Sequence, residues 1–110
     1  MSFEALNASW QEGLRRVQGA DPADRAVLER VVDELVIELR RRLGGAFTTG
    51  ELAELYEREG TDWAFAVAVR IAPTTPAAWD MSTVAAAAFA QYVRSASDYA
   101  GGRRIVEKEE

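Results

Sequence analysis

The sequence predicts an all-α fold, a single-domain bundle of about five mostly antiparallel helices. Three observations carry that reading. Apolar residues recur at spacings of three and four along most of the chain, which places them on one face of a helix. Most of the glycines and prolines fall between these periodic stretches, at Gly19, Gly44, Gly45, Gly60, Pro73, Pro76, Gly101 and Gly102. The one alternating stretch, Phe65 to Val69, has no second strand to pair with, and an isolated strand is not stable.

The first helix is expected from Phe3 to Val17, with Phe3, Leu6, Trp10, Leu14 and Val17 on one face and Gly19 ending it. Asp21 then caps a second helix that has Pro22 at its first position and Asp24 in its first turn. That helix runs to Leu43 on a broad stripe from Leu28 to Leu43, and Gly44–Gly45 supplies its exit. Thr48 and Glu51 form a capping box for a short third helix, Thr49 to Arg58, with Phe47 stapled on Leu52. Gly60 is expected to end it and Thr61 to cap a fourth helix, "DWAFAVAVRIA", with Asp62 at the positive end of its dipole. Because that helix is apolar nearly all round, it is expected inside the bundle. A Pro-bounded loop follows, and Asp80 or Ser82 caps a fifth helix whose alanine run lets a neighbour approach closely. Helices two, four and five are expected to form the centre. The domain is expected over 1–102, with 103–110 a loose charged tail.

Composition removes most chemistry before any motif is weighed. The 110 residues make one ordinary domain, and 48% hydrophobic with 28% charged residues is globular. The absence of cysteine and histidine takes away thiolate sites, the commonest metal ligand and the side chain that titrates near neutrality. No apolar run is long enough to span a bilayer, and the start lacks the basic and apolar segments of a signal peptide. A cytoplasmic protein without cofactor or metal is the expectation, and no enzyme. The net charge of -5 argues against nucleic acid as a partner, because acidic surfaces repel phosphate.

Each candidate site has a plainer structural explanation beside it. The 48–72 segment begins as helix-turn-helix DNA readers do, so a nucleic-acid-associated regulator is the alternative function. Its second helix, however, offers Arg70 as its sole cation and is otherwise a packing surface. Arg40, Arg41 and Arg42 are the densest positive cluster, a patch for an anion or an acidic partner, or simply cations at the negative end of a helix. Glu51 with Glu54, and Glu59 with Asp62, echo the paired carboxylates of Mg²⁺-dependent nucleotide pyrophosphatases. The two pairs follow each other too closely to face across a bundle, so a nucleotide-directed Mg²⁺ enzyme is the remote alternative. Ser82, Ser95 and Ser97 lack a general base. The aromatic set Trp79, Tyr92 and Tyr99, with Asp80, is the first choice of partner surface, since buried aromatics anchor interfaces.

Thr61-Asp62-Trp63, Ala78-Trp79-Asp80 and Asp98-Tyr99-Ala100-Gly101-Gly102 carry a further signal. Around them, most of the span from Leu39 to Arg104 resembles uncharacterised small helical proteins of high-GC actinobacteria. The resemblance implies a soluble bacterial origin and transfers no catalytic residue. The leading expectation is therefore a non-catalytic interaction module that binds another protein. The apolar face of the first helix adds a possible homodimer to that expectation.

Overall fold

The computed structural model describes residues 3–43, 46–74, 79–98 and 104–106. Helix α1 (Phe3–Gln18) turns Leu6, Trp10, Leu14 and Val17 inward and stops where Gly19 donates its N–H to the Arg15 carbonyl. Helix α2 (Pro22–Leu43) starts at Pro22 as expected, the Asp21 carbonyl accepting the Arg25 N–H at 2.7 Å. Its stripe from Leu28 to Leu39 is buried.

The next segment departs from expectation. Helix α3 (Thr49–Leu55), a π turn (Tyr56–Gly60) and helix α4 (Thr61–Ile71) follow one another without leaving helical conformation. Gly60 has φ -52 and ψ -51, so it continues the helix instead of ending it. Thr61 likewise is no cap: its backbone is helical, and no side-chain cap bond opens α4. The expected five helices thus become four rods, because the third and fourth are one run with an extra residue in its middle. The Tyr56 ring explains the glycine. A Cβ at position 60 would lie 3.0 Å from Tyr56 Cδ1, so the ring occupies the space a side chain would need. The capping box is present as expected: Glu51 N–H donates to Thr48 Oγ1 at 3.0 Å, and Thr48 N–H to Glu51 Oε1 at 2.8 Å. The Phe47 staple falls outside the described side chains.

Helix α5 (Met81–Asp98) is the centre of the bundle. Every residue from Val84 to Ala90 is buried, which requires neighbours on all sides, and α1, α2, α4 and the π turn supply them. Helix α1 comes closest. A Cβ added to Gly13 would meet Ala86 Cβ at 2.8 Å and the Thr83 carbonyl at 3.0 Å, so the two backbones approach as far as glycine and alanine permit. The larger side chains fill the ends of this contact. Trp10 lies 5.2 Å from Phe89 and 5.3 Å from Tyr56, with Phe3 edge-on at 5.7 Å. The expected centre of helices two, four and five is therefore corrected: α5 holds it alone, and α1 is its tightest partner.

Short extended segments complete the chain. Strand β1 (Ala46–Thr48) pairs in parallel with β2 (Arg104–Val106), Phe47 opposite Ile105. Three residues a side leave the all-α class unchanged, although β2 lies within the stretch expected to be loose. The radius of gyration, 13.5 Å, is close to the roughly 13 Å of a compact domain this long. Among the described residues no helix is long and apolar enough to cross a membrane.

Gly13→Ala tests the close approach, because its sign is opposite to the ordinary one. In an open helix this change stabilises by up to about 1 kcal/mol. Here the added methyl overpacks the contact with Ala86, and urea unfolding should show a loss of about 1–3 kcal/mol. Unchanged or raised stability would show that α1 and α5 are not so close.

Candidate interaction surface

Helix α4 was expected inside and instead lies at the surface with one face outward. Ala64, Val67 and Ala68 are buried against the core, and Trp63 and Ile71 flank them half-buried. Asp62, Phe65, Ala66, Val69 and Arg70 are exposed. Phe65 and Val69, four residues apart, form an apolar ridge, with Asp62, Ala66 and Arg70 as the adjacent row. Phe65 is 50% exposed and Val69 40%. Beyond Arg70 the surface drops into an open groove of about 490 Å³ between α4 and α2, lined by Arg30, Asp33, Glu34, Ile37, Arg70 and Ile71. Ile37 is 40% exposed there. Isolated surface apolar residues are ordinary. Here the three large exposed ones among the described residues all belong to this ridge and the groove beside it.

The charges of the groove are also distinctive. Elsewhere the arginines are engaged: Arg15 and Arg16 with Glu12, Arg25 with the Gln18 carbonyl, Arg58 with Glu54 and Glu59, Arg94 with Gln11. Among the arginines whose side chains are described, only Arg30 and Arg70 make no side-chain hydrogen bond or ion pair, and both line this groove. Asp33 and Glu34 share the groove without pairing to them.

The arginine cluster at the end of α2 is dispersed by helix geometry. Arg40 donates to Ser95 Oγ at 2.7 Å and Arg41 to Glu38 at 2.6 Å. Arg42 pairs with Glu59 at 3.1 Å while its guanidinium lies 4.1 Å from the Trp63 ring centroid. The hydrogen bond from Arg42, with its charge and that of Arg58, holds the Glu59 carboxyl below its ordinary pKa. Arg40 and Arg42 tie α2 to α5, to the π turn and to α4, Arg41 stays within α2, and the three do not converge on one pocket.

The aromatic set likewise separates. Tyr92 is 1% exposed and belongs to the core, so it joins no surface. Trp79 is half-buried and packs on the core as a lid. Tyr99 lies outside the described residues. Asp80 is the N-cap of α5: its Oδ1 accepts the Ser82 N–H at 3.0 Å and the Ser82 hydroxyl at 2.8 Å, and its carbonyl accepts the Thr83 N–H. Those bonds from Ser82 lower its pKa, with Thr83 and the charge of Arg16 adding to the effect. Burial raises the pKa of Tyr56, and the charge of Asp80 adds to the effect.

The acidic pairs do not converge. Glu51 serves the capping box, Glu54 pairs with Arg58, and Glu59 pairs with Arg42 and Arg58. Among the described residues no group of three or more His, Cys, Asp or Glu side chains is gathered as a metal would need.

The ridge on α4 escaped the sequence reading, although its signal was present. The inward rows combine Ala64 with Ala68 and Val67 with Ile71, while the bulkiest residue besides Trp63, Phe65, sits with Val69 on the opposite side. A bundle of this size has room for one fully enclosed helix, and the alanine-rich α5 fits that place better than α4. No family model, curated protein or solved structure matches the chain.

The Asp80 cap has a pH signature. Its folded pKa lies below the unfolded value, so its contribution is complete above the unfolded pKa and fades as pH falls through the folded one. Asp80→Ala should cost about 1 kcal/mol at neutral pH. The gap from wild type should narrow between about pH 5 and pH 2 in urea titrations. A gap that stays constant across that range would remove the charged cap.

Proposed function

We propose that this chain is a non-catalytic cytoplasmic interaction module, an adaptor or regulator that binds another protein through the outward face of α4. One observation carries the reading: the large apolar residues left in water, Phe65, Val69 and Ile37, are concentrated on one ridge and its neighbouring groove. Complete burial of a phenylalanine or valine side chain is worth about 1.5–3 kcal/mol, and the fold leaves much of that unrealised at Phe65. A partner recovers it by covering a face that is already ordered, since helix α4 is held by Ala64, Val67 and Ala68 beneath. Two cations and two carboxylates around the groove provide a polar rim.

This reading moves the contact surface away from Trp79, whose ring is engaged with the core. A nucleic-acid role has less support. The Thr48–Ala72 segment has no turn between two helices, and its Arg70 lies in a groove with Asp33 and Glu34.

Affinity capture with wild type, Phe65→Ser and Trp79→Ala tests the proposal. Phe65→Ser should leave the melting temperature within a few degrees of wild type, because its side chain is half in water, yet abolish capture. Trp79→Ala should lower the melting temperature and retain the partner below it. Capture that survives Phe65→Ser and disappears with Trp79→Ala would place the surface on the loop instead.

A further inference from the structure

We infer that the hollow bordered by α1, α2 and α5 is a site for a primary alkylammonium group, with its hydrocarbon chain on the floor and its cation at the rim. The hollow measures about 160 Å³. Its floor is Leu14 and Val17 of α1 and Val32 of α2, buried side chains that still border the space. Its rim is polar: Gln18 of α1, Glu29 and Asp33 of α2 and Gln91 of α5. Asp33 also borders the groove beside α4, and the rest of the hollow lies apart from the face proposed to bind a protein. A cavity of roughly 150 Å³ holds about six non-hydrogen atoms, the size of a short alkylamine.

Charge decides the sign of the ligand. Among the described residues no arginine or lysine lines the hollow, and none of the four rim side chains makes a hydrogen bond or ion pair. Glu29 and Asp33 stand four residues apart on one face of α2, where like charges oppose each other unless a cation lies between them. An ammonium has three N–H donors and no acceptor, and carboxylate and amide oxygens from three helices surround the space to accept them. A hard metal ion fits poorly. It takes a shell of oxygens, whereas the floor is hydrocarbon and no group of three or more candidate ligands is gathered among the described residues. An anion would meet two carboxylates, and a neutral chain would leave them without a counter-charge. The combination selects a cation with an apolar body.

Titration of the isotope-labelled chain at fixed ionic strength, followed by its amide resonances, tests this. Butylammonium chloride should give saturable shifts at Leu14, Val32 and Gln91 and at the side-chain amides of Gln18 and Gln91. Methylammonium, which lacks the chain, and butanol, which lacks the charge, should each bind at least about threefold more weakly. Glu29→Gln with Asp33→Asn replaces two exposed carboxylates by isosteres, so circular dichroism should be unchanged while butylammonium binds about tenfold more weakly. Gln91→Arg, which brings a cation of its own to the rim, should abolish binding. A capped peptide with one lysine separates two sources of this chemistry. If it binds at least as tightly as butylammonium, the site takes a partner's lysine; if more weakly, a free amine. Butylammonium that leaves these resonances unmoved up to tens of millimolar overturns the inference. So do shifts that butanol reproduces in full, or that persist undiminished in the neutralised variant.

Discussion

The close contact of α1 with α5 at Gly13 and Ala86 is the constraint on which the arrangement depends. Two helix backbones come this near only where neither carries a side chain larger than a methyl, and the approach helps to bury Val84 to Ala90. Small residues in the middle demand bulk at the margins, and Trp10, Tyr56 and Phe89 provide it as a cluster of mutually tilted rings. Helix α2 covers another side of α5 with its Leu and Val stripe. Once α1 and α2 are in place, α4 has room to cover α5 with one face only.

That limitation links packing to the proposed role. Helix α4 has more apolar surface than a single contact can use, and its surplus appears as the Phe65–Val69 ridge. The π turn at Tyr56–Gly60 belongs to the same logic. It turns the Tyr56 ring into the cluster with Trp10 and Phe89 and sets the rotation with which α4 leaves. Arg42 secures that exit from outside, holding Glu59 of the π turn and covering the Trp63 ring of α4. The outward face is therefore held by an ordered scaffold.

Much of this was legible from residue types alone, and the failures have physical causes. The stripe of α1, the start of α2, the Thr48–Glu51 box and the Asp80 cap each depend on a few neighbouring residues, which a sequence displays directly. Gly60 misled because a glycine that ends a helix and one that makes room for a ring look alike until Tyr56 is placed. Helix α4 misled because apolar character records what is hydrophobic and not which helix wins the centre; that depends on side-chain size, and alanines let α5 win. Tyr92 was assigned to a surface by its residue type, although its position on the stripe with Val84 and Phe89 puts it in the core. The pairing of β2 with β1 joins residues far apart in sequence, and neither segment is long enough to announce a strand.

The central claim is that α5 is enclosed and α4 faces outward to be covered. Broadening of side-chain resonances by a soluble paramagnetic probe tests it most directly. Phe65 and Val69 should broaden strongly, while Trp10, Val84 and Phe89 stay sharp. A sharp Phe65 beside a broadened Val84 or Phe89 would contradict the account.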